Sequence, residues 1–146
     1  MIFHLFSHNN DSHFIQNISS LQDGYFNVPI DKGFTHYFRF MVGSTCYEML
    51  KLPMGYCGSL AAFRAWLRPY IKRLQALFPH VVTFDYSDDV LFILPRSRAS
   101  VANATSQAIR RALRLLGLPL KETKVNWSPS RSIEYLGFSI DTVFMS

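Results

Sequence analysis

The chain has 146 residues, 49% hydrophobic and 17% charged, which is enough apolar material for one compact domain and too short for two. This composition excludes a disordered, collagen-like or disulfide-scaffold protein, and no apolar run approaches the roughly 20 residues that span a bilayer. Fifteen Lys and Arg against ten Asp and Glu give a net charge of +5, which favours a polyanionic partner. The balance is uneven, because residues 1–31 hold Asp11, Asp23 and Asp31 and no Lys or Arg. Cys46, Cys57, His4, His8 and His13 fall in no zinc-ligand spacing. The start of the chain lacks both a cationic segment and a long apolar stretch, so a soluble, intracellular protein without a signal peptide or membrane contact is expected.

In chain order, periodicity predicts a strand over about Phe14–Ser19, a turn at Asp23-Gly24 and an extended piece over Tyr25–Ile30. His36–Val42 and Tyr47–Lys51, separated by Gly43-Ser44-Thr45, read as a hairpin. A helix from Ser59 places Leu60, Phe63, Leu67, Ile71 and Leu74 on one stripe, with Arg64, Arg68, Lys72 and Arg73 around it and Pro69 expected to kink or interrupt it. Val81–Phe84 and Val90–Leu94 read as buried strands flanking residues 85–89. A second helix from about Ser100 to Gly117 is expected to turn Val101, Ala104, Ala108, Ala112 and Leu115 inward and Arg110, Arg111 and Arg114 outward. Short strands near Thr123–Trp127 and Ile133–Ile140 complete the chain. The order strand, helix, hairpin, helix, strand is the split βαβ (ferredoxin-like) pattern of an α+β domain, an antiparallel sheet with two helices on one face.

Three of the ten acids fall within residues 85–89, between strands that are otherwise apolar. Adjacent carboxylates repel and resist desolvation, so they sit stably only in water or beside a cation. Mg²⁺ suits such hard oxygen donors and completes its shell with water and phosphate. An Asp-rich turn facing solvent satisfies the same residues. The residues alone leave both readings open.

Five segments change that balance. They are Asp23-Gly24-Tyr25-Phe26-Asn27-Val28-Pro29-Ile30, Leu52-Pro53-Met54-Gly55-Tyr56-Cys57-Gly58-Ser59, Tyr86-Ser87-Asp88-Asp89, Leu116-Gly117-Leu118 through Lys124, and Ile133-Glu134-Tyr135-Leu136-Gly137-Phe138. In their order and separation, from about residue 16 to residue 141, they resemble the palm of a reverse transcriptase, an RNA-directed DNA polymerase. The wording Leu-Gln-Asp-Gly-Tyr-Phe and Leu-Pro-Met-Gly is closest to retrotransposon enzymes. The resemblance implies that residues 1–146 are a single partial reverse transcriptase domain, a palm without fingers or thumb, so that Phe14, Phe40, Trp66 and Trp127 are candidates for apolar surface that those parts would otherwise cover. It also implies template-directed nucleotidyl transfer, with an RNA template, a DNA primer and dNTP as partners.

The same resemblance carries residue roles. Two Mg²⁺ (or Mn²⁺) ions about 3.5 to 4 Å apart would serve the reaction, with Asp88 as principal ligand and Asp89 as its helper. Asp23, Gly24, Tyr25, Met54 and Gly55 would contact the incoming nucleotide, with Tyr25 stacking beneath the sugar to exclude a 2′-hydroxyl. An ordinary core tyrosine is the alternative for Tyr25. Met54 stands where retroviral enzymes have Gln. Lys124 matches a lysine near the triphosphate that would protonate pyrophosphate, or is a surface lysine. Tyr135, Leu136 and Gly137 would form the primer grip, or a plain hairpin.

One position departs from the pattern. The family's first catalytic Asp lies three residues before the acid of the Asp-Gly-Tyr-Phe match, and here that position is Ser20. A hydroxyl cannot replace a carboxylate that bridges two cations. Asp23 is a poor substitute if the segment is extended, because three strand residues span about 10 Å and reverse the face. The expectation is therefore a palm that is inactive or impaired as it stands. The alternative is a non-catalytic nucleic-acid-binding module or decayed retroelement fragment that keeps the fold, with the basic faces of the two helices as its phosphate contacts.

Overall fold

A computed structural model describes residues 13–18, 21–121, 125 and 127–142, with residues 13–18, 96 and 97 described by their backbone alone. The elements in chain order are β1 (His13–Ile18), β2 (Arg39–Val42), β3 (Thr45–Glu48), α1 (Ser59–Leu77), β4 (Val82–Tyr86), β5 (Asp89–Pro95), α2 (Ala102–Leu115), β6 (Ser132–Tyr135) and β7 (Phe138–Asp141). The architecture is α+β, with a three-stranded antiparallel sheet in the order β1-β5-β4 and two separate hairpins, β2-β3 and β6-β7. No helix among the described residues is long and apolar enough to cross a membrane.

β5 is the centre of the molecule because its run Val90–Leu94 is buried on both faces. Val90, Phe92 and Leu94 join one core with Phe63, Leu67, Ile71 and Leu74 of α1 and Ala102, Ile109 and Leu113 of α2. Leu91 and Ile93, pointing the other way, pack with Tyr135 of β6 and are flanked by Phe84, Ile133 and Ile140. A strand covered on both sides reads as a continuous apolar run rather than an alternating one.

α1 runs through Pro69 without a break. A proline inside a helix removes one backbone hydrogen bond and costs about 3 kcal/mol. The buried stripe Phe63, Leu67, Ile71 and Leu74 outweighs that local cost, since packing of one face supplies most helical stability. Ser59, not Leu60, begins the buried stripe, and Ser59 Oγ donates to the Pro53 carbonyl at 2.6 Å.

Several expectations are corrected. Tyr25–Ile30 is not one extended piece, because Gly24–Asn27 form a 3₁₀ turn and only the following residues extend, with Leu52 N–H donating to the Val28 carbonyl and Ile30 N–H to that of Leu50. The inner face of α2 is Ala102, Ser106, Ile109 and Leu113, whereas Leu115 is 89% exposed. Arg110 does not point into solvent, since its guanidinium lies 5.3 Å from the Trp127 ring centroid and Ser106 Oγ donates to the Trp127 carbonyl at 2.5 Å. Trp66 and Trp127 pack against the core, so of the expected exposed aromatics Phe40 is the one seen in solvent. Phe14's side chain, and most of the strand expected near Thr123–Trp127, lie outside the described residues.

Phe92→Ala is expected to lower unfolding stability by about 3–5 kcal/mol, and Leu115→Ala by less than about 0.5 kcal/mol. Urea denaturation midpoints check both, the first for the double burial of β5 and the second for the outward face of α2.

Candidate functional site

The β4-β5 hairpin closes with Tyr86 paired to Asp89, which leaves Ser87 and Asp88 as its entire turn. The acidic run therefore divides: Asp85 belongs to β4, Asp88 to the turn and Asp89 to β5. Cross-strand partners share a face, so Asp85, opposite Val90, looks to the helix side and Asp89, opposite Tyr86, to the β6-β7 side. Ser87 has φ of 56°. A non-glycine residue in that left-handed region costs about 1–2 kcal/mol, a strain of the sort found where a turn must aim a side chain.

Against this turn lies the segment after β1. Leu21 N–H donates to the Asp88 carbonyl at 3.3 Å and Gln22 N–H to the Pro119 carbonyl at 2.9 Å. Gly24, at φ of 33°, passes close enough that a Cβ there would sit 3.9 Å from the Asp88 Cβ. Tyr25 rests its ring on Phe63, with centroids 5.1 Å apart, and its hydroxyl is 3.2 Å from Ser87 Oγ. Two segments separated by 62 residues thus meet at one spot. Asp23 is at φ of 61° in an exposed turn, as expected for Asp23-Gly24, with its carbonyl accepting from Phe26 N–H at 2.8 Å.

The β6-β7 hairpin approaches from the opposite face of the sheet. Leu136 and Gly137 have φ of 53° and 77°, the two positive values that a tight two-residue turn with matching twist requires. Tyr135 is buried at 3% exposure, and its hydroxyl is pushed up to about 12, first by burial and then by the nearby charges of Asp89 and Asp85. The hairpin that resembles the primer grip therefore stands within electrostatic reach of the acidic hairpin. Met54, 65% exposed, and Gly55 lie in the turn before α1, and no hydrogen bond or ring contact joins them to Ser87 or Asp88. Ser20 and Lys124 lie outside the described residues. Sequence reasoning passed over Ser87 because it occupies the variable position of Tyr-x-Asp-Asp, yet it touches Tyr25.

Among the described residues no group of three or more His, Cys, Asp or Glu is gathered to hold a metal. Asp88 and Asp89 offer adjacent hard-oxygen donors at a hairpin end, which suits a Mg²⁺ that keeps water and phosphate in its remaining positions.

Because the raised Tyr135 value favours the neutral phenol in the folded state, its contribution is full below pH 10 and is lost as pH rises toward about 12. Subtracting the alkaline absorbance titration of Tyr135→Phe from that of the parent chain is expected to leave one tyrosine ionising near 12, and Asp89→Asn moves it down.

Comparison with known proteins identifies the family. The model of the family "Reverse transcriptase (RNA-dependent DNA polymerase)" matches residues 7–140. The chain is 28% identical over 124 residues to the Gag-Pro-Pol polyprotein of human T-cell leukemia virus 2, covering 80% of this chain and 8% of that protein. It is 29% identical over 125 residues to Protein P of duck hepatitis B virus, strain United States/DHBV-16, covering 86% of this chain and 15% of that protein. The chain thus spans only a small part of the length of these curated relatives. With the hairpin carrying Tyr86-Ser87-Asp88-Asp89 at its centre and the family match running over residues 7–140, the chain belongs to the reverse transcriptase (RNA-dependent DNA polymerase) family.

Proposed function

We propose that this chain is a reverse transcriptase palm of split βαβ form, built for template-directed transfer of deoxynucleotides to a DNA primer and impaired by Ser20. The observation that carries the reading is the meeting of Gly24 and Tyr25 with Ser87 and Asp88. Phosphoryl transfer is catalysed by positioning and charge neutralisation, and this is the place where the motifs would assemble both. In the proposed reaction the primer 3′-oxygen bonds to the α-phosphorus of the dNTP, the bond to pyrophosphate breaks, and the hydroxyl proton passes to solvent water.

Asp88 and Asp89 would hold the divalent ions, Mg²⁺ or Mn²⁺, which when bound acidify the hydroxyl and offset charge on pyrophosphate. Tyr25, braced by Phe63 and Ser87, would form the floor under the sugar and crowd out a 2′-hydroxyl. Asp23 and Gly24 would border the same nucleotide pocket, with Met54 and Gly55 on the approach to α1. Lys124 would give a proton to pyrophosphate, and Tyr135, Leu136 and Gly137 would hold the primer strand. An RNA template, a DNA primer and dNTP are the partners this arrangement suits. The Leu-Gln-Asp-Gly-Tyr-Phe wording supports a retrotransposon-type element, although the relatives named above are viral.

Ser20 favours a second reading, a palm fold retained for nucleic-acid binding without chemistry. The two part on metal affinity. Calorimetry with Mg²⁺ or Mn²⁺ is expected to show weak binding by the parent chain, a gain of about tenfold or more, or about 1.4 kcal/mol, in Ser20→Asp, and loss in Asp88→Asn. Indifference to all three would make Asp88 and Asp89 a turn rather than an active site. Robust polymerase activity of the unmodified chain would refute the impairment.

A further inference from the structure

α1 carries no acid between Ser59 and Leu77, yet it places Arg64, Arg68 and Lys72 at four-residue intervals on one exposed face. Each step rises about 6 Å along the helix, and like charges at this spacing repel and weaken the helix. None of the three is ion-paired or hydrogen-bonded among the described residues. They line an open groove of about 640 Å³ whose small walls include Ala61 and Ala65 and whose one carboxylate is Asp85 of β4.

We infer that this groove binds the phosphate backbone of a nucleic-acid strand, at a place separate from the Asp88 turn. The cations form a line about 12 Å long, the axial length of three to four nucleotides of one strand at about 3.4 Å each. The alanine walls let a strand approach the helix closely. A lipid surface fits less well, because a membrane-lying helix needs a free apolar face and that of α1 is consumed by the core through Phe63, Leu67, Ile71 and Leu74. Asp85, in the groove, stands on the helix side of the sheet and Asp89 on the β6-β7 side, so the groove and the Asp89 carboxylate lie on opposite faces of the sheet. Binding in the groove needs no metal at Asp88 or Asp89.

The test is fluorescence anisotropy of a labelled RNA–DNA hybrid with the whole chain, in chelator and over a range of salt. Arg64→Gln/Arg68→Gln/Lys72→Gln is expected to bind at least about 30-fold more weakly at low salt, with a log K against log salt slope shallower by about 2 to 3. A control that removes the same charge elsewhere, Lys51→Gln/Arg111→Gln/Lys121→Gln, is expected to lose less than about threefold, since its cations lie outside the groove. Asp85→Asn tightens binding and Asp88→Asn leaves the slope unchanged, which separates this site from the active-site reading. If the triple variant melts early by circular dichroism, Arg64→Gln and Lys72→Gln singly each lower the slope by about 0.9. Equal losses in triple variant and control, no hybrid binding by the parent chain at low salt, or equal affinity for phosphatidylserine vesicles would each overturn the inference.

Discussion

The double burial of β5 is the constraint on which the rest depends. Because Val90, Phe92 and Leu94 are clamped by the helices while Leu91 and Ile93 are clamped by β6-β7, the strand cannot slide by one residue without moving every side chain to the wrong core. That fixed register pins Asp89 opposite Tyr86 and leaves two residues for the turn. The strain at Ser87 is sustained by the same means, since a left-handed non-glycine residue persists only where its surroundings over-determine it.

The second anchor is the backbone bond from Leu21 to Asp88. Leu21 is itself a core residue, bridged to Leu120 beyond α2, so three distant parts of the chain are tied at the base of the turn. Gly24 and Tyr25 inherit their position from this knot. Tyr25 then rests its ring on Phe63 of α1 and its hydroxyl on the turn, so the tyrosine is held by both the helix and the hairpin. A side chain held this way has little freedom to rearrange.

How legible was this in the sequence? The stripe of α1 was plain because Phe63, Leu67, Ile71 and Leu74 repeat at helical spacing with cations between them. β5 was plain for the opposite reason, as an unbroken apolar run that only two-sided burial explains. α2 misled because it offers two stripes. Ala104, Ala108, Ala112 and Leu115 repeat as regularly as Ala102, Ser106, Ile109 and Leu113, and small side chains carry too little hydrophobic weight to separate them. Ser106 decides the matter through its bond to the Trp127 carbonyl, a long-range contact that no local pattern displays. At the site, Asp88 and Asp89 were readable as a pair, but the opposed facing of Asp85 and Asp89 follows from strand pairing, and the role of Ser87 from a partner 62 residues away.

The fold and the chemistry rest on different residues. Leu91, Phe92, Leu94 and Phe63 are almost wholly buried and hold the hairpin in place by apolar contact. Asp88 makes no such contribution through its side chain, and desolvating a carboxylate opposes folding rather than helping it. A residue whose carboxylate serves a metal can therefore be replaced without loss of the scaffold, since a neutral side chain removes like-charge repulsion from the acidic hairpin. The same reasoning runs in reverse for Arg64, Arg68 and Lys72. Three like charges in a line add nothing to the stability of α1, which its buried stripe supplies from the other side.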